Sequence, residues 1–159
     1  MIEMQLVGVR VELPTNQPIV LLRERTGERF LPIWIGPVEA TAIAFALQGI
    51  VTQRPLTHDL MKSMLEETGV SVERVLITEL REATFYATLE MSRDGTKYSV
   101  SSRPSDAIAL AVRMSVPLFA APEVLTEAGI HIRDDEEQEE EVQRFREFIE
   151  SVSPEDFGG

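Results

Sequence analysis

Alternating hydrophobic and polar residues open the chain. The stretch VGVRVEL, residues 7–13, places a hydrophobic residue at every second position, which is the period of a β-strand with one buried face. Pro14 and Asn16 supply a turn before a second hydrophobic stretch, IVLLRE. The pattern therefore predicts an opening β-hairpin in which Val7 and Val9 share the buried face.

Two later strands run directly into helices that begin with proline. RFLPIWIG continues into PVEATAIAFALQG, and KYSVS is followed by PSDAIALAVRM. Proline suits the first helical position, and Gly49 suits the end of the earlier helix. In both helices a carboxylate follows the proline by two residues, and alanines recur at three matching positions. We expect both helices to be buried. Either an ancient duplication or the small repertoire of helix-start residues would explain the repeat.

A further helix is predicted from the stretch RPLTHDLM, residues 54–61. Thr57 suits its N-cap, Asp59 lies in the first turn, and Gly69 follows the last turn. The strand-like runs VSVERVLITEL and ATFYATLEMS come next, and the dipeptide Asp94-Gly95 is a strong hairpin signal. This order of elements predicts an α+β fold, a single domain with a mixed, mainly antiparallel sheet packed against helices.

Composition limits the class of protein. A chain of 159 residues fits one domain, and the absence of cysteine excludes disulfides and thiolate metal sites. The N-terminal stretch lacks the pattern of a secretory signal, and the longest uncharged run, residues 40–53, is too short to span a membrane. We therefore expect a cytoplasmic protein without a membrane segment.

Acidic residues concentrate at the C-terminus. Eleven of the 27 acidic residues but three of the 15 basic ones lie from Arg133 onward, so this segment carries −8 of the net charge of −12. We divide the chain into a domain, residues 1–132, and an acidic, partly helical tail, residues 133–159. The run DDEEQEEE is typical of a solvated face, although nucleic-acid mimicry and metal buffering are alternatives.

The tail also carries a hydrophobic stripe. Val142, Phe145, Ile149 and Val152 recur at spacings of three and four residues, which places them on one side of a helix. This tail helix is expected to dock on its own domain or on a neighbouring subunit. Together with Trp34, it predicts a homo-oligomer.

Several residues of the predicted helix starts are candidates for chemistry. First-turn carboxylates stabilise a helix by about 0.3–1 kcal/mol through its dipole, so their presence alone does not establish a site. Trp34 lies between two isoleucines and faces outward if the isoleucines face the core, unless both faces of the strand are buried. The sequence contains no phosphate-binding glycine loop, HExxH motif or serine elbow.

Three segments in this order, LPIWIGPVEATAI, RPLTHDLM and SRPSDAIALAVR, resemble the signature segments of the bifunctional nuclease domain family. The resemblance covers about residues 1–132, whereas the acidic tail lies outside it. It implies a phosphodiesterase that cleaves both DNA and RNA, but it does not imply a catalytic mechanism.

For a nuclease, imidazole can transfer protons near neutral pH, arginine can clamp phosphate, and carboxylates can orient the imidazole or hold a cation. The predicted catalytic residues are His58, Asp59 and Asp106; the predicted substrate-binding residues are Arg54, Arg103, Trp34 and Ser105; the predicted metal ligands are Glu39, Asp59 and Asp106. Oxygen ligands favour Mg²⁺ or Mn²⁺, and no organic cofactor is expected.

The charge balance supports alternatives to a nuclease. Nucleic-acid-binding proteins usually present a basic surface, yet residues 1–132 carry a net charge of −4. One alternative is a non-catalytic oligomeric module that binds an anionic ligand or a partner protein. Another is a different hydrolase that uses the same acidic residues.

Overall fold

An eight-stranded sheet and four helices form the domain. The computed structural model describes residues 1–12, 15–132, 143–148 and 150. The strands are β1 (Ile2–Glu12), β2 (Gln17–Glu24), β3 (Arg29–Trp34), β4 (Ser71–Arg81), β5 (Thr84–Arg93), β6 (Thr96–Ser102), β7 (Leu118–Ala120) and β8 (Ile130–His131). The helices are α1 (Pro37–Gln48), α2 (Thr57–Glu67), α3 (Pro104–Met114) and α4 (Pro122–Ala128).

The sheet joins two antiparallel units. Its strand order is β6-β5-β4-β7-β1-β2-β3-β8. Strands β1 to β3 form one unit and β4 to β6 the other, and the short strand β7 pairs in parallel with β4 and antiparallel with β1. The predicted α+β fold with a mixed, mainly antiparallel sheet is therefore confirmed.

The opening hairpin forms as predicted, but its alternation is interrupted. Leu6 pairs with Leu22, and Gly8 rather than Val7 pairs with Leu21. The extra residue makes a β-bulge, which rotates the following residues relative to the preceding ones. The prediction that Val7 and Val9 share a buried face is consequently wrong, because Val9 is buried whereas Val7 is exposed.

Helices α1 and α3 pack against each other and against the sheet. Their small side chains allow this close approach, and the alanines at the matching positions are all buried: Ala40, Ala42, Ala44, Ala107, Ala109 and Ala111. Larger side chains, such as Ile43 of α1 and Leu110 of α3, fill the core together with Val75 and Ile77 of β4. The predicted burial of both helices is confirmed.

Helix α2 attaches to this layer along α3. Its N-cap is Leu56 rather than the predicted Thr57, and the backbone N–H of Leu56 donates to the Asp59 carboxylate at 3.0 Å. The capping oxygen therefore comes from the third helical residue. Met61 and Leu65 pack against the core, but His58 is the only buried residue of α2.

Part of the predicted tail helix lies within the described residues. Residues 143–148 are helical, and Phe145 and Phe148 pack against the core cluster. The Phe145 ring lies beside Gly8, where an added Cβ would be 3.5 Å from it. The tail thus docks on its own domain in this segment, whereas the acidic run and the other three stripe residues lie outside the described residues. None of the helices in the described part of the chain is both long and apolar enough to cross a membrane.

Candidate functional site

The side chain of Arg103 connects the starts of α1 and α3. Arg103 is the N-cap of α3. Its Nε donates to Asp106 Oδ2 at 2.9 Å and its Nη2 donates to Asp106 Oδ1 at 3.2 Å, while Nη1 donates to Glu39 Oε1 at 3.1 Å. The guanidinium is therefore held by one carboxylate from each helix, and its side chain is still 65% exposed.

Helix α2 adds a histidine to the same group. His58 Nε2 lies 2.9 Å from Asp106 Oδ1, and His58 is only 7% exposed. We call Glu39, Arg103, Asp106 and His58 the Arg103 network. Three segments distant in sequence thus meet, as a common site for the predicted catalytic and substrate-binding residues requires. His58, however, lies behind Asp106 and does not line the neighbouring groove.

Electrostatics keep Asp106 ionised. Burial raises the pKa of Asp106, but hydrogen bonds from Arg103 and His58 outweigh burial and lower this pKa below its usual range. Hydrogen bonds and charge from Asp106, and then from Glu39, raise the pKa of Arg103. Because both oxygens of Asp106 already accept hydrogen bonds, this carboxylate is suited to holding donors in place rather than to removing a proton.

Asp59 faces a different partner. Arg113 Nε donates to Asp59 Oδ1 at 2.7 Å, and Arg113 Nη1 donates to the Ala109 carbonyl at 3.0 Å. Burial raises the pKa of Asp59, but the hydrogen bonds from Arg113 and the Leu56 N–H lower it overall. This pair helps to attach α2 to α3, so the structure places Asp59 beside the Arg103 network rather than within it.

Sequence reasoning missed Arg113 as a partner of this cluster. Its side chain is only 7% exposed. Arg113 follows Asp106 by seven residues, or two helical turns, so both side chains lie on the same side of α3. The adjacent residues His58 and Asp59 of α2 then contact Asp106 and Arg113 of α3, respectively. The seven-residue spacing of Asp106 and Arg113 was the sequence signal that could have predicted this second contact.

The predicted set of metal ligands is not assembled. No group of three or more acidic or histidine side chains that could hold a metal ion occurs among the described residues. Arg103 binds both Glu39 and Asp106, and Asp59 is paired with Arg113. The positive charge next to the carboxylates is thus supplied by arginine, and this donor set does not fit a carboxylate-bound Mg²⁺ or Mn²⁺ ion.

An open groove of about 590 Å³ borders the Arg103 network. Three of the predicted substrate-binding residues line it, namely Trp34, Arg103 and Ser105. Trp34 is 50% exposed, whereas Ile33 and Ile35 on either side are buried, so the tryptophan faces outward. The fourth residue, Arg54, is exposed and does not line the groove.

Comparison with known proteins agrees with the three sequence segments that form this site. Residues 20–133 match the family described as "Bifunctional nuclease domain". The chain belongs to the bifunctional nuclease domain family. The matched range contains Trp34 and the whole Arg103 network. Strand β1 lies outside the matched range, although it occupies the centre of the sheet.

Relatives of the chain include a bacterial protein and several plant proteins. An uncharacterized protein of Mycobacterium tuberculosis is 48% identical over 162 residues, which cover 98% of this chain and 97% of the relative. Bifunctional nuclease 2 of Arabidopsis thaliana is 30% identical over 77% of this chain, and Bifunctional nuclease 1 of Oryza sativa subsp. indica is 29% identical over 74%. These alignments span 39% and 36% of the two plant proteins, respectively.

Proposed function

We propose that this protein hydrolyses phosphodiester bonds in DNA and RNA. The observation that carries the proposal is the exposed Arg103 guanidinium, which two carboxylates hold at the edge of a groove. Membership of the bifunctional nuclease domain family and the names of the plant relatives support the same reaction class.

Arg103 supplies the phosphate-binding group. A guanidinium has five N–H donors in a fixed fork, and the two carboxylates take the donors on Nε, Nη1 and Nη2 in three hydrogen bonds. One N–H on each Nη therefore remains for the scissile phosphate. Such a preoriented cation stabilises the negative charge that develops on phosphate oxygens in the transition state.

Glu39 is positioned to accept a proton from the attacking water. Its Oε1 accepts from Arg103, while its Oε2 lies over Gly36, a residue that lines the groove. A Cβ at position 36 would lie too close to this oxygen, so the Glu39 side chain would have to shift if residue 36 were not glycine. Within the described part of the chain Oε2 accepts no hydrogen bond, which leaves a carboxylate oxygen available next to bound phosphate.

His58 acts through Asp106 in this proposal. Its imidazole is buried between α2 and α3 and contacts the carboxylate that grips Arg103. By holding Asp106, His58 keeps the guanidinium fork in one orientation. His58 is thus a positioning residue, and proton transfer to substrate by its imidazole is the competing prediction.

The requirement for Mg²⁺ or Mn²⁺ is a separate prediction. The Arg103 guanidinium lies between two carboxylates, where a metal ion could otherwise be bound. Arginine can neutralise phosphate charge in place of a metal ion. Phosphate binding by Arg103 and proton transfer to Glu39 need no metal ligand from Asp59. Cleavage assays with each metal and with chelator decide whether a metal is required.

The test is cleavage of labelled single-stranded DNA and RNA by highly purified protein. Arg103→Gln and Asp106→Asn should each reduce the rate about a hundredfold or more, since misplacing or removing an electrostatic group has effects of this size. Two exposed residues give matched controls, Arg93→Gln and Asp94→Asn, which should cleave as the wild type does.

Equal cleavage by all variants would trace the activity to a contaminating nuclease. Saturable anion binding without any product would instead support the non-catalytic binding module, because Arg103 would still be its anion-binding group. The predicted homo-oligomer is tested independently by light scattering at micromolar concentration, where a monomeric mass would contradict it.

A further inference from the structure

The groove beside the Arg103 network combines one cation with an exposed aromatic ring. Its wall includes Trp34 and Phe85 on strands, the turn residues Asn16 and Ala83, and the helix starts at Gly36-Pro37 and Pro104-Ser105. Among the described residues that line it, Arg103 is the only charged one. The described lining residues include no carboxylate, although that of Glu39 lies next to Gly36. In a chain with 27 acidic and 15 basic residues, such a lining favours an anionic ligand.

Strand pairing fixes the backbone of Trp34 at this surface. Its backbone pairs with Ile19 of β2, and the neighbouring Ile33 and Ile35 are buried. A tryptophan side chain has two rotatable bonds, so the half-exposed indole loses little conformational entropy when another flat ring stacks on it. Stacking on an aromatic side chain is the main sequence-independent interaction of proteins with unpaired nucleic-acid bases.

The helix starts favour phosphate at the other side of the groove. α1 and α3 contain 12 and 11 residues, and the positive ends of both helix dipoles open at the groove through Gly36-Pro37 and Pro104-Ser105. Backbone N–H groups in the first turn of a helix lack intrahelical partners and bind phosphate oxygens readily. Pro37 and Pro104 have no N–H, so Ser105 is the first-turn residue among the described groove lining that offers a backbone donor beside Arg103.

We propose that this groove binds single-stranded DNA or RNA, with an unpaired base stacked on Trp34 and the adjoining phosphate on Arg103. The inference shares Arg103 with the proposed nuclease function and rests on it for the identity of the polymer. It adds that the substrate is unpaired and that Trp34 determines this preference. Ser105, at the second position of α3, lies beside the phosphate position.

Base pairing would remove the features that the groove recognises. In a duplex the faces of the bases stack on one another, so no face is available to Trp34. A volume of about 590 Å³ lies in the range of small-ligand sites, which suits one or a few nucleotide units of a single strand. A duplex backbone could still approach Arg103, but it would bind without the tryptophan.

The tight turn between β4 and β5 forms one rim of the groove. Glu82 and Ala83 both adopt positive φ angles, 50° and 63°, as the two central residues of a type I′ hairpin turn do. Ala83, with its small side chain, lines the groove together with Phe85 and Arg103.

Fluorescence tests the inference directly because Trp34 is the only tryptophan of the chain. A short thymidine oligonucleotide should quench the emission saturably, since a stacked base contacts the indole. An abasic oligomer with the same phosphates and a duplex of the same length should quench much less. Each oligonucleotide is recovered afterwards and its length checked, so binding and cleavage are scored separately.

Variants then identify the contacts by anisotropy of a labelled oligonucleotide. Trp34→Ala should weaken single-strand binding about tenfold or more, and Trp34→Phe should retain most of it, because stacking is worth roughly 1–3 kcal/mol per base. Tyr98→Ala is the matched control, since Tyr98 is a similarly exposed aromatic outside the groove. Arg103→Gln should lower the salt dependence of binding.

The outcomes separate this inference from the proposed function. Equal quenching by the abasic oligomer, equal affinity for duplex, or undiminished binding by Trp34→Ala would overturn the inference even if the protein cleaves nucleic acid. Saturable quenching by the thymidine oligonucleotide without any cleavage would support the groove as a single-strand site and contradict the nuclease proposal.

Discussion

The two strand-to-helix junctions of this protein share a design but differ in their chemistry. β3 leads into α1 and β6 leads into α3, each with proline at the first helical position and a carboxylate at the third. The residue before the proline differs: it is Gly36 in the first junction and Arg103 in the second. Glycine makes room for the Glu39 carboxylate, whereas arginine places a guanidinium between both carboxylates.

The surroundings of the two carboxylates differ as well. Asp106 accepts hydrogen bonds from Arg103 and His58 on both of its oxygens, while Glu39 receives Arg103 on one oxygen only. A helix-start carboxylate can therefore serve as a fixed support or as an available proton acceptor. Its hydrogen-bond partners, rather than its position in the helix, decide which of these two roles it has.

The largest expected effect comes from removing each carboxylate in turn. Glu39→Gln should reduce kcat for phosphodiester cleavage about 10²- to 10⁴-fold, the usual contribution of a general base. Asp106→Asn should reduce it about 10²-fold by misorienting Arg103. Glu123→Gln, at another proline-started helix, is the control and should be silent. Wild-type kcat in Glu39→Gln would rule out Glu39 as the base.

Substitutions at the two junctions should lower the free energy of unfolding by different amounts. His58→Ala removes a buried hydrogen bond to an ionised carboxylate, so the free energy of unfolding should fall by about 2–3 kcal/mol. Glu39→Gln should cost less than about 1 kcal/mol, because its ion pair involves a largely exposed arginine. Urea denaturation monitored by circular dichroism measures both, with the exposed His131→Ala as control. Equal losses in the two variants would contradict the proposed difference.

Acidification should weaken the second junction. The pKa of Asp106 is lower in the folded protein than in the unfolded chain, so its stabilising contribution is present above the unfolded pKa, about 3.9. That contribution is lost as the pH falls through the folded value. Asp106→Asn should accordingly lose less stability than the wild type when urea midpoints are compared from neutral pH down to about pH 3. Parallel pH profiles would argue against the strong coupling of Asp106 to Arg103 and His58.

The smallest expected effect concerns how the two helices end. α1 ends at Gly49 and α3 at Ser115, with positive φ angles of 66° and 55°. Only glycine adopts this conformation without steric cost. Gly49→Ser should therefore lower the free energy of unfolding by about 1 kcal/mol, and Ser115→Gly should raise it by about 0.5 kcal/mol. Thermal denaturation checks the opposite signs, and a shared sign would show that other contacts control these positions.

Much of the fold could be predicted from local patterns. Period-two alternation located the strands, proline and the first-turn carboxylates marked α1 and α3, and the spacing of alanines predicted the burial of both helices. Two local details were wrong. The bulge at Val7 depends on pairing with β2, and the N-cap at Leu56 depends on the side chain of Asp59. A periodic pattern of hydrophobic residues predicts neither the pairing with β2 nor the hydrogen bond from Leu56 to Asp59.

The site was predictable only as a set of candidates. The sequence singled out His58, Asp106, Arg103 and Trp34, but it also grouped Asp59 with the other carboxylates and placed Arg54 in the phosphate clamp. Both side chains lie near the start of α2, yet Asp59 pairs with Arg113 and Arg54 is exposed outside the groove. A difference of one residue changes the direction of a helical side chain by about 100°, so proximity in sequence did not assign the partners.

By itself, the sequence determined the kinds of elements, the two proline-started junctions and the residues able to carry charge. These properties follow from backbone sterics and side-chain chemistry, which act over a few residues. The tertiary structure decided that Arg103 bridges Glu39 and Asp106, that His58 lies buried behind Asp106, and that Trp34 faces the groove. Those contacts join segments up to 64 residues apart, and only the packing of α1, α2 and α3 on one sheet brings them together.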